Sequence, residues 1–353
     1  MKLYSTNHQV PEVNLKEAVF KGLPDDNGLY MPDHIPTLPQ SFFDTIETLS
    51  FQDIAFEVCK ALIGDEVPEK EIRSIVDDVL TFEAPVIKVE DNVYVLELFH
   101  GPTLAFKDFG ARFMARLMSY FLQKEKTEIM ILVATSGDTG SAVAQGFLGR
   151  EGIKVTILYP SKKVSDLQEK QLTTLGQNIT ALEVLGTFDD CQRMVKQAFL
   201  DKDITSKINL SSANSINISR LIPQSFYYFY AYAQAKKLGR KVVFSVPSGN
   251  FGNICGGLIA KKMGLPIEMF IASTNLNDIM PTYIKTGIFT AKPSVATISN
   301  AMDVGNPSNY PRVIELYNKD IEALRKNVIG KVYTDKETAA AMKAVYQSTG
   351  YVM

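Results

Sequence analysis

The pattern of apolar and polar positions changes near residue 93. Before it, residues 51–62 and 72–80 carry apolar side chains at helical spacing, and Ser50 with Asp53 resembles a capping box at the start of the first stretch. After a strand-like run at 93–98, further apolar runs lie at 129–134, 155–159, 179–184, 242–246 and 267–272. Helical patterns separate them at 164–175, 188–200 and 218–237. This alternation predicts an α/β fold with parallel sheets and flanking helices.

The same change predicts the domain organisation. We expect a small N-terminal accessory domain over residues 1–92 and an α/β region over residues 93–353, with its smaller subdomain at about 110–238. The alternative for the first part, an irregular extension on the main body, stays open. Because ligands bind at the carboxyl ends of parallel strands, the polar loops that follow the strands are the candidate sites.

Composition narrows the classes of function. The 37 basic and 39 acidic residues give a net charge of −2, which favours neither nucleic acid nor an anionic membrane as a partner. No apolar run is long enough to span a bilayer, and the first residues lack the apolar region of a signal peptide. Three separated cysteines predict a reducing cytoplasm, and three histidines without metal-ligand spacing predict no metal site.

A lysine lies where a predicted strand passes into a predicted helix. Residues 100–110 read HGPTLAFKDFG, with Lys107 at the centre between Phe106 and Phe109. Partial burial among aromatic side chains disfavours the ammonium form and lowers the pKa of a lysine, as an amine that attacks a carbonyl requires. The alternative is a surface Lys107 in an ordinary ion pair with Asp108.

The loop at residues 135–141 reads TSGDTGS and follows the strand at 129–134. Its glycines permit a sharp turn, and we expect a helix from Ala142, so that hydroxyls and a helix N-terminus together fit a carboxylate or a phosphate. Asp138 does not belong in a pure anion site and should face a different group. The alternative is a polar turn capped by Ser141. The candidate hydroxyl donors are Thr135, Ser136, Thr139 and Ser141.

A second glycine loop at residues 247–253 reads PSGNFGN, between the strand at 242–246 and a helix expected from Ile254. Its short spacing predicts a tight group of backbone amides sized for one phosphate rather than a pyrophosphate. The alternative, a plain turn, needs glycine but not two asparagines. The candidate phosphate-binding residues are Gly249, Asn250, Phe251, Gly252 and Asn253.

A third polar stretch precedes the predicted helix at 218–237. Asn214, Ser215 and Arg220 bring neutral donors and one guanidinium to its start, and arginine is suited to bidentate phosphate recognition. The alternative is a helix cap with a solvated arginine. Two sites for single phosphates and a lysine at a strand end suggest a phosphorylated aldehyde cofactor and a phosphorylated substrate. Pyridoxal phosphate fits the description of the cofactor.

Taken together, these segments resemble the threonine synthase family. The resemblance rests on residues 100–110, 135–141, 214–217 with Arg220, 249–253, and the SNAMDV segment at 299–304, in the same order. It implies a fold-type-II pyridoxal-phosphate enzyme with two open twisted sheets, flanking helices and a small N-terminal domain. It also implies a lyase that removes phosphate from the γ carbon of O-phosphohomoserine and adds water at the β carbon to give threonine.

The resemblance also implies roles for particular residues. Lys107 would hold pyridoxal 5'-phosphate as a Schiff base and then shuttle protons, and residues 249–253 would hold the cofactor phosphate. Asp138 would lie near the pyridoxal 3'-oxygen. The implied substrate-binding residues are Asn214, Ser215 and Arg220 for the phosphate, and Thr135, Ser136 and Thr139 for the carboxylate or its surroundings.

Other readings stay open. Relative to that family, we expect a C-terminal part to be absent from this sequence, and with it the hydroxyl residue that meets the pyridine nitrogen. The chain could instead be a related enzyme, such as a hydroxy-amino-acid dehydratase, a cysteine synthase or a phospholyase, or a non-enzymatic phosphate-binding module. A second phosphate site at Asn214, Ser215 and Arg220 favours threonine synthase over an enzyme with a non-phosphorylated substrate, and a non-enzymatic module would not need Lys107. The oligomeric state is open between monomer and homodimer.

Overall fold

The computed structural model describes residues 1–123, 125, 127–135 and 137–352. The strands are β1 (Lys2–Ser5), β2 (Val13–Asn14), β3 (Tyr30–Pro32), β4 (Val86–Glu90), β5 (Val93–Leu96), β6 (Ile129–Ala134), β7 (Ile153–Pro160), β8 (Ile179–Val184), β9 (Leu210–Ser211), β10 (Val242–Pro247), β11 (Ile267–Thr274) and β12 (Val328–Val332).

The α-helices are α1 (Leu15–Lys21), α2 (Gln40–Thr45), α3 (Phe51–Ile63), α4 (Glu69–Val79), α5 (Lys107–Leu122), α6 (Asp138–Phe147), α7 (Asp166–Thr173), α8 (Phe188–Leu200), α9 (Lys202–Thr205), α10 (Ile218–Leu221), α11 (Phe226–Lys236), α12 (Gly252–Lys262), α13 (Ile279–Thr286), α14 (Tyr310–Glu315), α15 (Ile321–Arg325) and α16 (Asp335–Thr349). Short 3₁₀ helices lie at Ile46–Thr48, Ile222–Gln224 and Asn300–Met302. Among the described residues, none of the helices combines the length and the apolar character needed to cross a membrane.

The chain forms two compact units. Unit 1 consists of Met1–His34, Ser50–Ala84 and Leu98–Gln224, and unit 2 of Ile35–Leu49, Pro85–Glu97 and Ser225–Met353. The predicted division into residues 1–92 and 93–353, with a subdomain at about 110–238, stays a prediction.

Unit 1 contains a parallel sheet in the order β8–β7–β6–β9 and a small antiparallel sheet in the order β2–β1–β3. Strands β6 and β7 are rich in Ile, Val and Leu and mostly buried, as expected for strands of a parallel sheet that carries helices. Helix α5 is buried along most of its length and packs on α4, α6 and α10. The first residues of α5 and α6 therefore hold their positions through a well-packed core.

Unit 2 contains a second parallel sheet, in the order β10–β11–β12, and the antiparallel hairpin β4–β5. The predicted strand at 93–98 is β5 of this hairpin, and Asn92 in its turn has a φ of 65°. Asparagine tolerates that conformation, which suits a tight hairpin. The aromatic side chains of Tyr228, Phe244 and Phe270 pack together between α11 and the sheet.

Three predicted element boundaries are wrong. The helix predicted at 218–237 is divided into α10, a 3₁₀ turn and α11, because Pro223 lacks the N–H that a continuous helix needs. The helices predicted from Ala142 and Ile254 begin earlier, as α6 and α12. Ser141 is not a cap, since Gly137 is the N-cap residue of α6 and makes no side-chain capping bond.

Three arginines of unit 1 surround Asp78 at the end of α4. Arg116 Nε lies 2.7 Å and Arg150 Nη2 3.0 Å from Asp78 Oδ2, and Arg112 donates to the Asp78 carbonyl at 2.5 Å. Burial alone raises the pKa of the Asp78 carboxyl, but hydrogen bonds and charge from Arg116 and Arg150 outweigh it and leave the pKa below its usual value.

We expect Asp78→Asn to destabilise the protein at pH 7. Because the folded-state pKa is lowered, the stabilisation is fully present above the unfolded-state pKa of about 3.9 and is lost as pH falls through the folded value. The expected loss is about 1–2 kcal/mol, less than for a fully buried pair because 45% of the Asp78 side chain is exposed. Urea unfolding between pH 7 and pH 3 measures it, with Asp77→Asn on the same helix as control. An unchanged pH dependence in Asp78→Asn would contradict the assignment.

Candidate active site

Lys107 is the first residue of helix α5, and 22% of its side chain is exposed. Its Nζ lies 3.4 Å from Asp138 Oδ2. Asp108 is not its partner, because the Asp108 carboxylate is buried and accepts from Thr103 N at 2.8 Å and Thr103 Oγ1 at 2.6 Å. The alternative of a surface Lys107–Asp108 ion pair is therefore wrong.

The surroundings of Lys107 favour its neutral form. Burial is the largest influence and lowers the pKa of the Lys107 amine. The charge and hydrogen bond of Asp138 oppose this, whereas the charge of Arg220 adds to it, and the net pKa is lowered. This amine can therefore act as a nucleophile or a base at lower pH than an ordinary lysine.

Asp138 faces Lys107 on one side and an amide on the other. Its Oδ1 accepts from Gln168 Nε2 at 2.7 Å. Asp138 therefore faces two hydrogen-bond donors, and its predicted place near the pyridoxal 3'-oxygen stays a prediction. Sequence reasoning missed Gln168, although Ser165 and Gln168 form a capping box at the start of α7, a pattern that is readable in sequence and would have placed Gln168 at a helix N-terminus.

The side-chain hydroxyl groups of the loop at residues 135–141 have different surroundings. Thr135 Oγ1 accepts from Gly137 N at 3.0 Å and from Gly140 N at 2.8 Å, so it stabilises the turn itself. Thr139 lies half-buried in the first turn of α6, and its hydroxyl has no hydrogen-bond partner among the residues that the structure describes. Ser136 lies outside the described residues. Contact of Thr135, Ser136 and Thr139 with a substrate stays a prediction.

Arg220 is 3% exposed, so the alternative of a solvated arginine is wrong. Its Nη1 donates to the Ala213 carbonyl at 2.5 Å, whereas its buried Nε has no acceptor among the described residues. Within the same described part of the chain, no carboxylate forms an ion pair with it. Burial lowers the pKa of the guanidinium to about 10, and the charge of Asp108 only partly opposes this.

A close approach of α10 to α5 holds Arg220 in place. A Cβ atom at Gly110 would lie 2.9 Å from both Arg220 Nε and Arg220 O, so only glycine leaves room here. The Arg220 guanidinium therefore lies against the first turns of α5, the helix that begins at Lys107. A buried cation without a carboxylate partner is costly unless an anion joins it, so the predicted binding of an anionic ligand by Arg220 stays a prediction that this burial favours.

Asn214 and Ser215 are half-buried near this cation. The N-cap of α10 is Asn217, whose Oδ1 accepts from Ser219 N at 3.1 Å, and Asn217 Nδ2 donates to the Val19 carbonyl at 2.9 Å. The capping role that the sequence left open for Asn214 therefore belongs to Asn217. The Asn214 side chain has no hydrogen-bond partner within the described ranges, which leaves it available to a ligand.

In unit 2, helix α12 begins at Gly252, and its first N–H groups have no intrahelical acceptor. The residue before it, Phe251, has a φ of 60° and is 3% exposed. Neither Gly249 nor Gly252 has a positive φ, so Phe251 alone provides the left-handed conformation of this loop. The buried Phe251 forms the turn, and the first amides of α12 follow it.

The two asparagines of this loop brace it. Asn250 Oδ1 accepts from Ser308 N at 2.6 Å and from Ser308 Oγ at 2.8 Å. Asn253 Oδ1 accepts from Tyr227 Oη at 2.6 Å and from Tyr228 Oη at 2.8 Å. These carbonyl oxygens therefore support the loop, which leaves the backbone amides as the donors for an anion.

The segment at residues 299–304 also packs against the loop at residues 247–253. A Cβ atom at Gly249 would lie 2.9 Å from Met302 Cα. Asp303 fixes the segment, because its Oδ1 accepts from Asn275 Nδ2 and Thr297 Oγ1, each at 2.8 Å, and its Oδ2 accepts from Thr297 N at 3.0 Å. Sequence reasoning noted this segment only as part of a resemblance and missed its contact with Gly249.

Comparisons with known proteins agree over the whole chain. Residues 79–353 match the family described as "Pyridoxal-phosphate dependent enzyme", and residues 2–80 match "Threonine synthase N terminus". The sequence is 49% identical over 356 residues to threonine synthase from Haemophilus influenzae, covering 100% of this chain and 82% of that protein.

Solved structures give the same result. The crystal structure of threonine synthase from Escherichia coli is similar with a TM-score of 0.92 and 44% identity, over 100% of this chain and 82% of that one. The X-ray structure of PLP-bound threonine synthase from Brucella melitensis is similar with a TM-score of 0.94 and 35% identity, over the same shares. These matches confirm the predicted α/β fold.

Proposed function

Because the chain belongs to the threonine synthase family of pyridoxal-phosphate-dependent enzymes, we propose that it converts O-phosphohomoserine and water into threonine and phosphate. The observation that carries the proposal is Arg220, a cation that is 3% exposed and whose Nε has no acceptor among the described residues. A substrate without a phosphate would leave this charge unpaired. O-Phosphohomoserine supplies an anion of the right kind.

Two groups of residues fit separate parts of pyridoxal phosphate. We assign its covalent attachment to Lys107, because burial lowers the pKa of that amine. We assign its phosphate to the loop of residues 249–253, where the first amides of α12 lack intrahelical acceptors. When bound, the cofactor supplies an electron sink for carbanion chemistry.

The chain's own residues bind the substrate and move protons. Arg220, with Asn214 and Ser215, binds the phosphate of the substrate and holds it as a leaving group at the γ carbon. Lys107 Nζ takes a proton from the substrate and returns one, since its neutral form is accessible at a lower pH than usual. Asp138, 3.4 Å away, stabilises the ammonium each time it forms.

The proposal is tested by incubating the full chain, loaded with pyridoxal phosphate, with O-phosphohomoserine. We expect inorganic phosphate and threonine in equal amounts. Phosphate without threonine would favour a phospholyase, and production of a 2-oxo acid and ammonia from threonine or serine would favour a dehydratase. An unreactive O-phosphohomoserine would count against the substrate assignment.

The proposed location and the proposed absence of a nucleic-acid partner rest on the sequence alone. Separated cysteines support a cytoplasmic location, and the near-neutral charge supports the absence of a nucleic-acid partner. The oligomeric state, monomer or homodimer, stays a prediction.

We expect Gly252→Val to weaken cofactor binding far more than it lowers the melting temperature of the cofactor-free protein. A side chain here would obstruct the first amides of α12, whereas valine has a higher helix propensity than glycine. Gly257→Ala on the same helix is the control, because its Cβ would lie 2.6 Å from Phe270 and should lower the melting temperature instead. Titration with pyridoxal phosphate and thermal unfolding of the cofactor-free proteins measure both. A similar loss of melting temperature in Gly252→Val would support a plain turn.

A further inference from the structure

The side-chain amide of Gln168 joins a helix cap to the site around Lys107. Its Oε1 accepts from Ser165 N and Ser165 Oγ, each at 3.1 Å, as part of the capping box of α7. Its Nε2 donates to Asp138 Oδ1 at 2.7 Å. One rigid amide group is therefore held at both ends, and the Asp138 carboxylate is held by it.

The loop before α6 is shaped around this contact. Gly137 has a φ of 141°, and a Cβ atom there would collide with Cδ and Nε2 of Gln168. Only glycine adopts this φ readily and leaves space for the amide. Two segments that are distant in sequence are thus adapted to the same hydrogen bond.

We propose that Gln168 is a positioning residue that fixes the Asp138 carboxylate so that its second oxygen, Oδ2, faces Lys107 Nζ. The terminal torsion of an aspartate is broad, so a carboxylate held at one oxygen has a far narrower range of orientations than a free one. Glutamine is suited to this task because it donates a hydrogen bond without neutralising the negative charge of Asp138. The proposal rests on the role of Lys107 in the proposed function.

The effect of a substitution at residue 168 on the pKa of Lys107 depends on the charged groups around Lys107. Asp138 faces it from α6 and Arg220 from α10, while Asp108 on its own helix is bound to Thr103. Gln168→Glu would add a second carboxylate beside Asp138. Glutamate serves in a capping box as well as glutamine does, so this variant keeps the cap of α7, loses the donation to Asp138 and adds one negative charge.

The first experiment measures the pKa of Lys107 in the full chain without cofactor, from the pH dependence of its chemical modification followed by mass spectrometry. At the alkaline pH where a lysine titrates, both carboxylates of Gln168→Glu are ionised, and we expect the pKa of Lys107 to rise by about one unit. The melting temperature should stay unchanged. Thr187→Ala is the matched control, because it removes an equivalent cap from α8 and should lower the melting temperature but leave the pKa of Lys107 in place.

The second experiment is a double-mutant cycle in the cofactor-loaded enzyme. Gln168→Met removes the donor at similar volume, and we expect kcat to fall about 10- to 100-fold, as when other residues that orient an active-site group are removed. In an Asp138→Asn background the same change should cost nothing further, because Gln168 acts through Asp138. Losses that multiply in the double variant would overturn the proposal.

An unchanged pKa of Lys107 in a folded Gln168→Glu would overturn it as well. Should that variant fail to fold, the cycle with Gln168→Met still decides. The modification experiment needs no substrate, so it separates this proposal from the proposed function. A shifted pKa together with a wild-type chain that leaves O-phosphohomoserine unreacted would support the contact of residue 168 with the carboxylate that faces Lys107 and would count against the substrate.

Discussion

Replacing Lys107 by alanine is expected to abolish turnover and leave the fold intact. Alanine is a good helix former at the first position of α5, so the helix should persist. The variant loses both the amine that attaches the cofactor and the base that moves protons, and kcat should fall by about 10³-fold or more. Kinetics with O-phosphohomoserine and the absorbance spectrum of the bound cofactor measure the two losses.

Lys261 provides the matched control. Burial lowers the pKa of Lys261 too, but its Nζ donates to the Glu268 carbonyl at 3.0 Å and belongs to no candidate site. Lys261→Ala should keep both the covalent attachment and the turnover. If instead Lys107→Ala retained them, a lowered pKa would not identify the reactive lysine in this chain.

Replacing Arg220 should have the second largest effect. Loss of one partner of a buried charged pair costs about 2–5 kcal/mol. At about 1.4 kcal/mol per decade, kcat/KM for O-phosphohomoserine should fall roughly 30- to several-thousand-fold in Arg220→Ala. Arg220→Lys should be impaired as well, because an ammonium cannot reproduce the two-pronged contact of a guanidinium with phosphate. Cofactor affinity should barely change, because the cofactor phosphate is assigned to residues 249–253.

The substrate-free protein offers an independent check on Arg220. Its buried charge lacks a carboxylate partner among the described residues, so Arg220→Met, which keeps much of the volume, should not lower the melting temperature. Arg193, on the exposed side of α8, serves as a surface control for the kinetics. A collapse of cofactor affinity in Arg220→Ala, with normal kcat/KM at saturating cofactor, would mean that the two phosphate sites are exchanged.

Sequence predicted five strands of the two parallel sheets, β6, β7, β8, β10 and β11, and missed β9 and β12. The run 129–134 is apolar over its whole length, and this pattern sets both ends of β6. Helix starts were less predictable, because α6 and α12 begin inside polar glycine loops where no apolar periodicity marks the first turn. The break at Pro223 was readable in principle, since proline cannot donate the next helical hydrogen bond.

The lowered pKa of Lys107 could be predicted from the sequence, but the residues that hold the surrounding groups in place could not. A lysine at a strand-to-helix passage indicated a lowered pKa, and burial does lower it. Gln168 donates a hydrogen bond to Asp138, about 30 positions away in sequence. Met302, the neighbour of Asp303, lies against Gly249, about 50 positions away. Periodicity and local turn patterns carry no information on such pairs, so only the folded chain reveals them.

The assignment of Lys107 as the residue that carries the cofactor is tested most directly by borohydride reduction. The full chain is loaded with pyridoxal phosphate, reduced, digested and mapped by mass spectrometry. The expected result is a pyridoxyl adduct on Lys107, formed in the wild type and in Lys261→Ala. An adduct on another lysine, with Lys107 unmodified, would contradict the assignment.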